Sequence, residues 1–272
     1  MTGSRGSERN FVAVAALLFA GCAAVTIAHC LSMPATGDMP MLGDWPIAAA
    51  WGRTCGQTWL GAAASFLAMW TVMMMAMMLP SLVPMLWRYR RATGGAGGAR
   101  LDGLTALVGL GYLFVWLLAG MLAYALGLAQ AAIELQIELH LPALAGALPV
   151  AAGLLVLGAG ALQFTPWKAR HLAHCRAAPG EATLASGAAP AGISAAWRHG
   201  LRLGLHCACS CIGLTLVLLV VGIMDLRAMI VVTAAITLER LAPEGQRVAQ
   251  GIGAVVIGAG MVLIARAAGF GG

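Results

Sequence analysis

Sulfur and imidazole side chains crowd into one short stretch of the chain, where a strongly apolar segment begins. The stretch holds His206, Cys207, Cys209 and Cys211. Thiolate and imidazole are the ligands that select Cu(I), Zn(II) or iron–sulfur centres. The stretch therefore predicts soft-metal chemistry inside a membrane, and its spacing is not the C-x-x-C of thiol oxidoreductases.

The three cysteines cannot all face one point from a regular helix. Cys207 and Cys211 are four residues apart and share a face, whereas Cys209 turns to the far side, with His206 near it. Three explanations stay open. The segment is unwound at its start, or two sites exist, or Cys209 packs as a small apolar residue, because free cysteine is among the most buried residue types.

A second group of donors lies where the fourth apolar run ends. If this segment is helical, His171, His174 and Cys175 share a face at spacings of three and four residues. That geometry suits two or three metal ligands. The alternative is a basic helix end at the membrane surface, whose histidines meet only water or lipid phosphates. Gln163, just before it, is costly to bury in a membrane unless it has a partner.

The second apolar run is rich in methionine. Met73 and Met77 lie on one helical face, with Met74 and Met78 adjoining it. Neutral thioethers hold Cu(I) without burying extra charge, whereas Zn(II) prefers thiolate and imidazole. The alternative is that these side chains only fill the core, as methionine commonly does. Pro80 is expected to end or kink this helix.

The chain has seven cysteines, an odd number that cannot pair completely. Cys30 and Cys55 are predicted on the oxidising side, where a disulfide between them is one possibility. Cys175 and the cluster at 207–211 are predicted on the reducing side as free thiols. Nearby methionines and His29 make the segment around Cys30 either a port for a soft metal or a loop with incidental sulfur.

Composition indicates an integral membrane protein, and we expect an all-α, polytopic transmembrane helix bundle. Hydrophobic residues make up 61% of the chain, charged residues 10%, and the mean hydropathy is +0.88. A helix needs roughly 20 apolar residues to cross a hydrocarbon core of about 30 Å. Seven runs approach this length, and six spans are the alternative. The seven runs are 11–31, 64–86, 104–126, 148–165, 206–223, 226–242 and 248–267.

The basic residues predict an orientation. With a cytoplasmic N-terminus, all but three of the 16 Lys and Arg residues fall inside, the exceptions being Arg53, Arg227 and Arg266. We expect a multi-pass protein of a bacterial-type inner membrane, surrounded by lipid, whose first run is an uncleaved anchor. The net charge of +6 is explained by these loops, so nucleic acid is not an expected partner.

No soluble domain interrupts the apolar runs, and residues 1–272 are expected to form a single membrane domain. Residues 176–197 are rich in Ala, Gly, Ser and Pro and predict a flexible cytoplasmic loop. Gln130, Glu134 and Glu138 recur every four residues among leucines and isoleucines, a pattern typical of a helix that lies in the membrane interface.

Several strings together resemble the predicted metal-binding integral membrane protein family, a family of unknown function often labelled copper chaperone. The resemblance covers most of the chain. Its strings are residues 74–81 (MMAMMLPS), 163–168 (QFTPWK), 174–176 (HCR), 199–224 with its cysteines, and 239–243 (ERLAP).

The chain departs from the family's pattern at two positions. The family has adjacent cysteines where this chain has Ser210 and Cys211, and a cysteine where it has His171. Cys209 is then a candidate for the displaced thiol. Exchange of cysteine for histidine keeps a soft or borderline ligand and so retunes a site rather than abolishing it.

These patterns predict a protein that handles a soft metal, with Cu(I) favoured by the methionines and zinc as the alternative. Expected partners are a copper-dependent membrane enzyme or a soluble copper carrier. No nucleotide-binding loop and no catalytic motif is found, so transport, storage and delivery stay open and no enzymatic activity is expected. The alternatives are a membrane thiol oxidoreductase that uses Cys30 and Cys55 outside and the cysteine cluster at 207–211 inside, and a structural or assembly subunit without metal.

Overall fold

The computed structural model describes residues 2–32, 58–93, 98–140, 147–176, 192–223 and 225–268, and in these ranges all regular structure is α-helical. The prediction of an all-α protein is thereby confirmed. The helices are α1 (Thr2–Ser32), α2 (Trp59–Ala92), α3 (Gly98–His140), α4 (Leu148–Leu162), α5 (Pro166–Arg176), α6 (Ile193–Val221), α7 (Leu226–Leu241) and α8 (Gly245–Ala267).

Five helices are long and apolar enough to cross a membrane, namely α1, α2, α3, α6 and α8. The pair α4 and α5, bent by 59° at its break, raises the number to six if it counts as one span. Seven spans are therefore not found among the described residues. The predicted run 226–242 forms α7, whose 16 residues reach only about 24 Å, less than a hydrocarbon core of about 30 Å.

The predicted interfacial helix around Gln130 is wrong, because these residues continue α3, whose 43 residues extend for about 64 Å. Of the two expectations for Pro80, an end of the helix is wrong, because α2 runs through it to Ala92, whereas a kink stays a prediction.

The predicted loop 176–197 is helical where the structure describes it at both ends. Arg176 is the last residue of α5, and α6 already begins at Ile193. Most of the remaining loop, and also Cys55 with the disulfide predicted for it, lies outside the described residues.

Glycines allow α3 and α6 to pack closely, side by side and in the same direction. A side chain at Gly200 would collide with the backbone of Val108, and one at Gly204 would collide with Val115 and with the backbone of Tyr112. Contacts between small residues let backbones approach in this way. The close approach fixes the position of α6 along the axis of α3. In this register Tyr112 lies beside Cys207.

Most arginines gather at one end of the bundle, where α2, α5 and α7 end and α3, α6 and α8 begin; we call it the arginine-rich end. Arg90 forms an ion pair with Asp102 across the α2–α3 connection, at 2.7 Å. Arg88 Nη1 donates to the carbonyl oxygen of Arg176 at 2.6 Å. This distribution follows the charge pattern of the sequence, whereas the cytoplasmic assignment of this end stays a prediction.

Candidate metal centre

Cys207 and Cys211 lie side by side on the buried face of α6, with exposed fractions of 0% and 1%. Arg240 Nη2 donates to both sulfurs, at 2.9 Å and 3.0 Å. The hydroxyl of Tyr112 lies 2.8 Å from Cys207 Sγ, and Met78 Sδ lies 4.0 Å from the same sulfur. We call these five residues the thiol pocket.

Arg240 reaches the pocket because α7 is short. The helix begins at its cap Asp225, whose side chain accepts from the backbone of Ala228, and its last turn ends inside the bundle with Arg240 only 4% exposed. The guanidinium also donates to Ser81 Oγ at 3.0 Å and to Ser210 Oγ at 3.2 Å. A buried arginine is tolerated only when its donors find partners in this way.

A second buried charge pair lies next to the pocket. Lys168 Nζ and Glu239 Oε2 are 2.7 Å apart, with side chains 5% and 2% exposed. The same ammonium donates to the carbonyl oxygen of Ser210 on α6. The charges of Lys168 and Glu239 cancel each other. The positive charge next to the two sulfurs is therefore that of Arg240.

Gln163 is buried, as its position in the apolar run implied. Neither polar atom of its side chain has a hydrogen-bond partner, and Glu239 Oε1 also lacks one. The Gln163 side chain nevertheless lies beside the Glu239 carboxylate and interacts with it, so Glu239 is the partner that burial of Gln163 was expected to require.

Three histidines form a separate group between α5 and α6, which we call the histidine cluster. Nδ1 of His171 lies 3.0 Å from Nδ1 of His206. The ring of His174 stacks on that of His206, with centroids 4.5 Å apart and planes at 11°. All three rings are at least partly exposed. The predicted helix that carries His171, His174 and Cys175 is confirmed as α5.

The remaining predicted ligands are placed unequally. Cys175 is buried near the pocket, with Sγ 4.0 Å from Ser210 Oγ. Met73, Met74 and Met77 are buried in the same core as the pocket, and Met78 Sδ lies 4.0 Å from Cys207 Sγ.

Cys209 is partly exposed on the far side of α6. This helix is continuous from Ile193 to Val221, so the explanation by local unwinding is wrong. A metal ligand at Cys209 would have to serve another site.

The donors of the pocket are two thiols and one thioether. Among the described residues, no three His, Cys, Asp or Glu side chains are placed to hold one ion together. A soft ion bound by Cys207, Cys211 and Met78 needs only two such residues, because the third donor is a methionine. The donor set thus fits Cu(I) better than Zn(II), which usually takes four ligands chosen from thiolate, imidazole and carboxylate and does not use thioether.

A family model described as PpoB2, copper chaperone, matches residues 67–263. The chain belongs to this copper chaperone family. The resemblance identified in the sequence is confirmed, and the matched region contains every residue of the thiol pocket and the histidine cluster. The comparisons match the chain to no curated protein and to no solved structure.

Within this family member, sequence reasoning missed the polar residues that surround the thiols. Arg240 and Glu239 entered the sequence analysis only within the string 239–243, although an ionisable residue inside a membrane helix is itself a signal of function. That signal pointed to Arg240 but not to its partners. Tyr112 carried no signal, because it lies 95 residues before Cys207 and meets it only through the packing of α3 on α6.

Proposed function

We propose that the protein binds Cu(I) at Cys207 and Cys211 inside the helix bundle and delivers it to a copper-dependent membrane enzyme or to a soluble carrier. The observation that carries this proposal is the pair of buried thiols held by one guanidinium. Membership of the copper chaperone family supports copper as the cargo.

Charge favours a monovalent ion in this pocket. Two thiolates and Cu(I) carry one net negative charge, which the guanidinium of Arg240 neutralises. Zn(II) with the same two thiolates is neutral, and Arg240 would then remain an uncompensated cation among apolar side chains. Burying an unpaired charge costs several kcal/mol, so the pocket discriminates against the divalent ion.

The neutral thioether of Met78 supplies a third soft donor without changing this balance. Both cysteines and the methionine are fully enclosed, so a bound ion is shielded from water and from oxidants. Such shielding suits a protein that keeps Cu(I) reduced until a partner takes it.

The membrane setting follows from the spans and the charge pattern. We place the protein in a bacterial-type inner membrane with the arginine-rich end and the N-terminus in the cytoplasm. No motif for nucleotide hydrolysis accompanies the site, so release depends on the affinity of the acceptor rather than on an energy source.

Metal content of the detergent-purified protein tests this function. Wild type prepared under reducing conditions is expected to contain copper, and the variant Cys207→Ser with Cys211→Ser is expected to lose the pocket copper. The matched control is Cys209→Ser, which removes a thiol from the same helix but outside the pocket. Zinc in place of copper, or copper unaffected in the double variant, would overturn the proposal.

The two alternative functions give different results in the same experiment. A thiol oxidoreductase would depend on Cys30 and Cys55, both of which precede the matched region 67–263. A structural subunit would contain no metal, and the double variant would lose stability only. The buried guanidinium at Cys207 and Cys211 favours metal binding over both, because simple packing does not require a charge at the thiols.

A further inference from the structure

In the histidine cluster two ring nitrogens lie close enough to share an ion, although its three rings are not placed around one point. Two nitrogen ligands at 2.0–2.1 Å from one ion lie about 3.3 Å apart in a tetrahedral arrangement. The Nδ1 atoms of His171 and His206 are 3.0 Å apart, so a small movement of either ring lets both bind the same ion. The hydrogen bond that now joins them would be replaced by two bonds to the metal.

His174 is prepared to supply a third nitrogen. Its Nδ1 lies 2.7 Å from the carbonyl oxygen of Arg170, and since a carbonyl can only accept, this nitrogen carries the proton. Nε2 is therefore left with a free lone pair, the tautomer that second-shell hydrogen bonds fix in metal-binding histidines. The ring is exposed and stacks on His206, so rotation about its side-chain bonds brings Nε2 to the ion.

The same two helices connect this cluster to the thiol pocket. Cys175 follows His171 by one turn of α5, and Ser210 follows His206 by one turn of α6. Cys175 Sγ and Ser210 Oγ are 4.0 Å apart, and Ser210 Oγ is 3.8 Å from Cys211 Sγ. Donors thus continue, turn by turn, from the exposed imidazoles to the buried thiols.

We propose that His171, His206 and His174 form a second, solvent-accessible site that receives Cu(I) before it passes through Cys175 to Cys207 and Cys211. This inference rests on the proposed function of the thiol pocket. Transfer is ligand exchange without redox change. Each copper–nitrogen bond that breaks is replaced by a copper–sulfur bond, and each thiol that becomes a ligand releases its proton to solvent.

The surrounding charges indicate the form in which the ion arrives. The positive charge of Arg170 is close enough to His171 to repel a cation there, and that of Arg202 does the same at His206. Both arginines are exposed. These cations repel a free divalent ion but attract an anion. The cluster therefore suits Cu(I) delivered as an anionic thiolate complex, and steering by such charges accelerates association most at low salt.

The test measures how fast the pocket loads. Reduced protein is mixed with Cu(I) supplied as its glutathione complex, and the absorbance change of the buried copper–thiolate centre is followed over time. Because a neighbouring site raises the effective concentration of the ion, His171→Gln with His206→Gln is expected to slow loading at least about tenfold. Final occupancy of Cys207 and Cys211 is expected to stay unchanged.

Three variants make the result specific. His199→Phe removes an imidazole from the same helix but keeps the stacking on Tyr89, and it is expected to load at the wild-type rate. His171→Cys keeps a soft donor at its position and is expected to load faster than His171→Gln. Arg170→Gln with Arg202→Gln is expected to load more slowly and to respond less to added salt.

Failure of this inference differs from failure of the proposed function. Wild-type loading rates in the double histidine variant, or equal rates in His171→Cys and His171→Gln, would refute the receiving site while leaving the thiol pocket intact. If the double histidine variant does not fold, the comparison of the two single His171 variants decides. A copper–thiolate absorbance that persists after removal of both pocket thiols would instead refute the proposed function.

Discussion

The thiol pocket and the histidine cluster share helix α6, yet they differ in nearly every physical property. The pocket has soft sulfur donors, full burial and a guanidinium that contacts the donors directly. The cluster has borderline nitrogen donors, exposed rings and arginines at its periphery. Burial and charge compensation suit the retention of an ion, whereas exposure suits its exchange.

The difference arises from the faces of α6 that carry the donors. Cys207 and Cys211 face the interior, where α7 supplies Arg240 at the thiols. His206 directly precedes Cys207 in the chain but faces α5, where it contacts His171 and His174. Neighbouring residues of one helix thus belong to a closed site and to an open one.

The largest effect is expected from breaking the buried pair behind the pocket. Lys168→Met leaves Glu239 charged and without its partner, which costs about 3–5 kcal/mol of folding free energy. Adding Glu239→Gln is expected to restore part of the loss. Thermal unfolding in detergent measures both.

The control for this experiment is Arg247→Gln, which removes the exposed pair with Glu244, whose side chains are 79% and 62% exposed. Exposed pairs contribute about 0–1 kcal/mol. If Lys168→Met and Arg247→Gln lose equal folding free energy, the buried pair is as hydrated as the exposed one. The contrast between closed and open regions would then be refuted.

Removal of the counter-charge is expected to affect copper rather than folding. Arg240→Gln leaves two thiols that can stay protonated, so no buried charge is orphaned. The copper complex, however, loses its neutralising cation, and its affinity is expected to fall about 100-fold, or about 2.7 kcal/mol. Competition with a Cu(I) chelator measures this change.

Arg240→Lys keeps the charge but loses the planar fork whose Nη2 donates to both sulfurs while Nη1 donates to Ser81 Oγ. Its affinity is expected to lie between those of wild type and Arg240→Gln. The histidine cluster provides the internal reference, since neither substitution is expected to change its copper binding. A parallel loss at both sites would show that Arg240 acts through the fold and not through local charge.

The parts of the site that the sequence could predict are those set by the spacing of residues along one helix. Pairing of Cys207 with Cys211, the separate position of Cys209 and the shared face of His171 and Cys175 all follow from helical periodicity. They required no knowledge of neighbouring helices. The methionine run was identified in the same way, but periodicity did not distinguish Met78 from its buried neighbours.

Features that depend on contacts between different helices could not be predicted from residue spacing. The hydropathy of residues 226–242 resembles that of a full span, and nothing local states that α7 ends after 16 residues with Arg240 at the thiols. The continuation of α3 beyond the predicted membrane span was also missed, because polar residues recurring every four positions fit an exposed helix of either orientation. Both features depend on tertiary packing.

Loss of the thioether is expected to have a smaller effect than loss of the guanidinium. Met78→Leu keeps volume and costs less than about 1.5 kcal/mol of stability, but it removes the third soft donor and is expected to weaken copper binding about tenfold. Met73→Leu is the matched control, because Met73 is equally buried in α2 and has no contact with Cys207 among the described residues. If the two variants bind copper with equal affinity, the thioether of Met78 is not a ligand and the two thiols are the donors of the pocket.

The smallest effect is expected from Tyr112→Phe, which removes one hydrogen bond to Cys207 Sγ and leaves the ring in place. One such bond is worth about 0.5–1.5 kcal/mol, so copper transfer to a chelator is expected to accelerate about threefold to tenfold. Tyr89→Phe, whose hydroxyl has no hydrogen-bond partner, is the control and is expected to behave as wild type. A Tyr112→Phe effect as large as that of Arg240→Gln would mean that hydrogen bonding, rather than charge, holds the ion, and the distinction drawn between the two sites would then rest on burial alone.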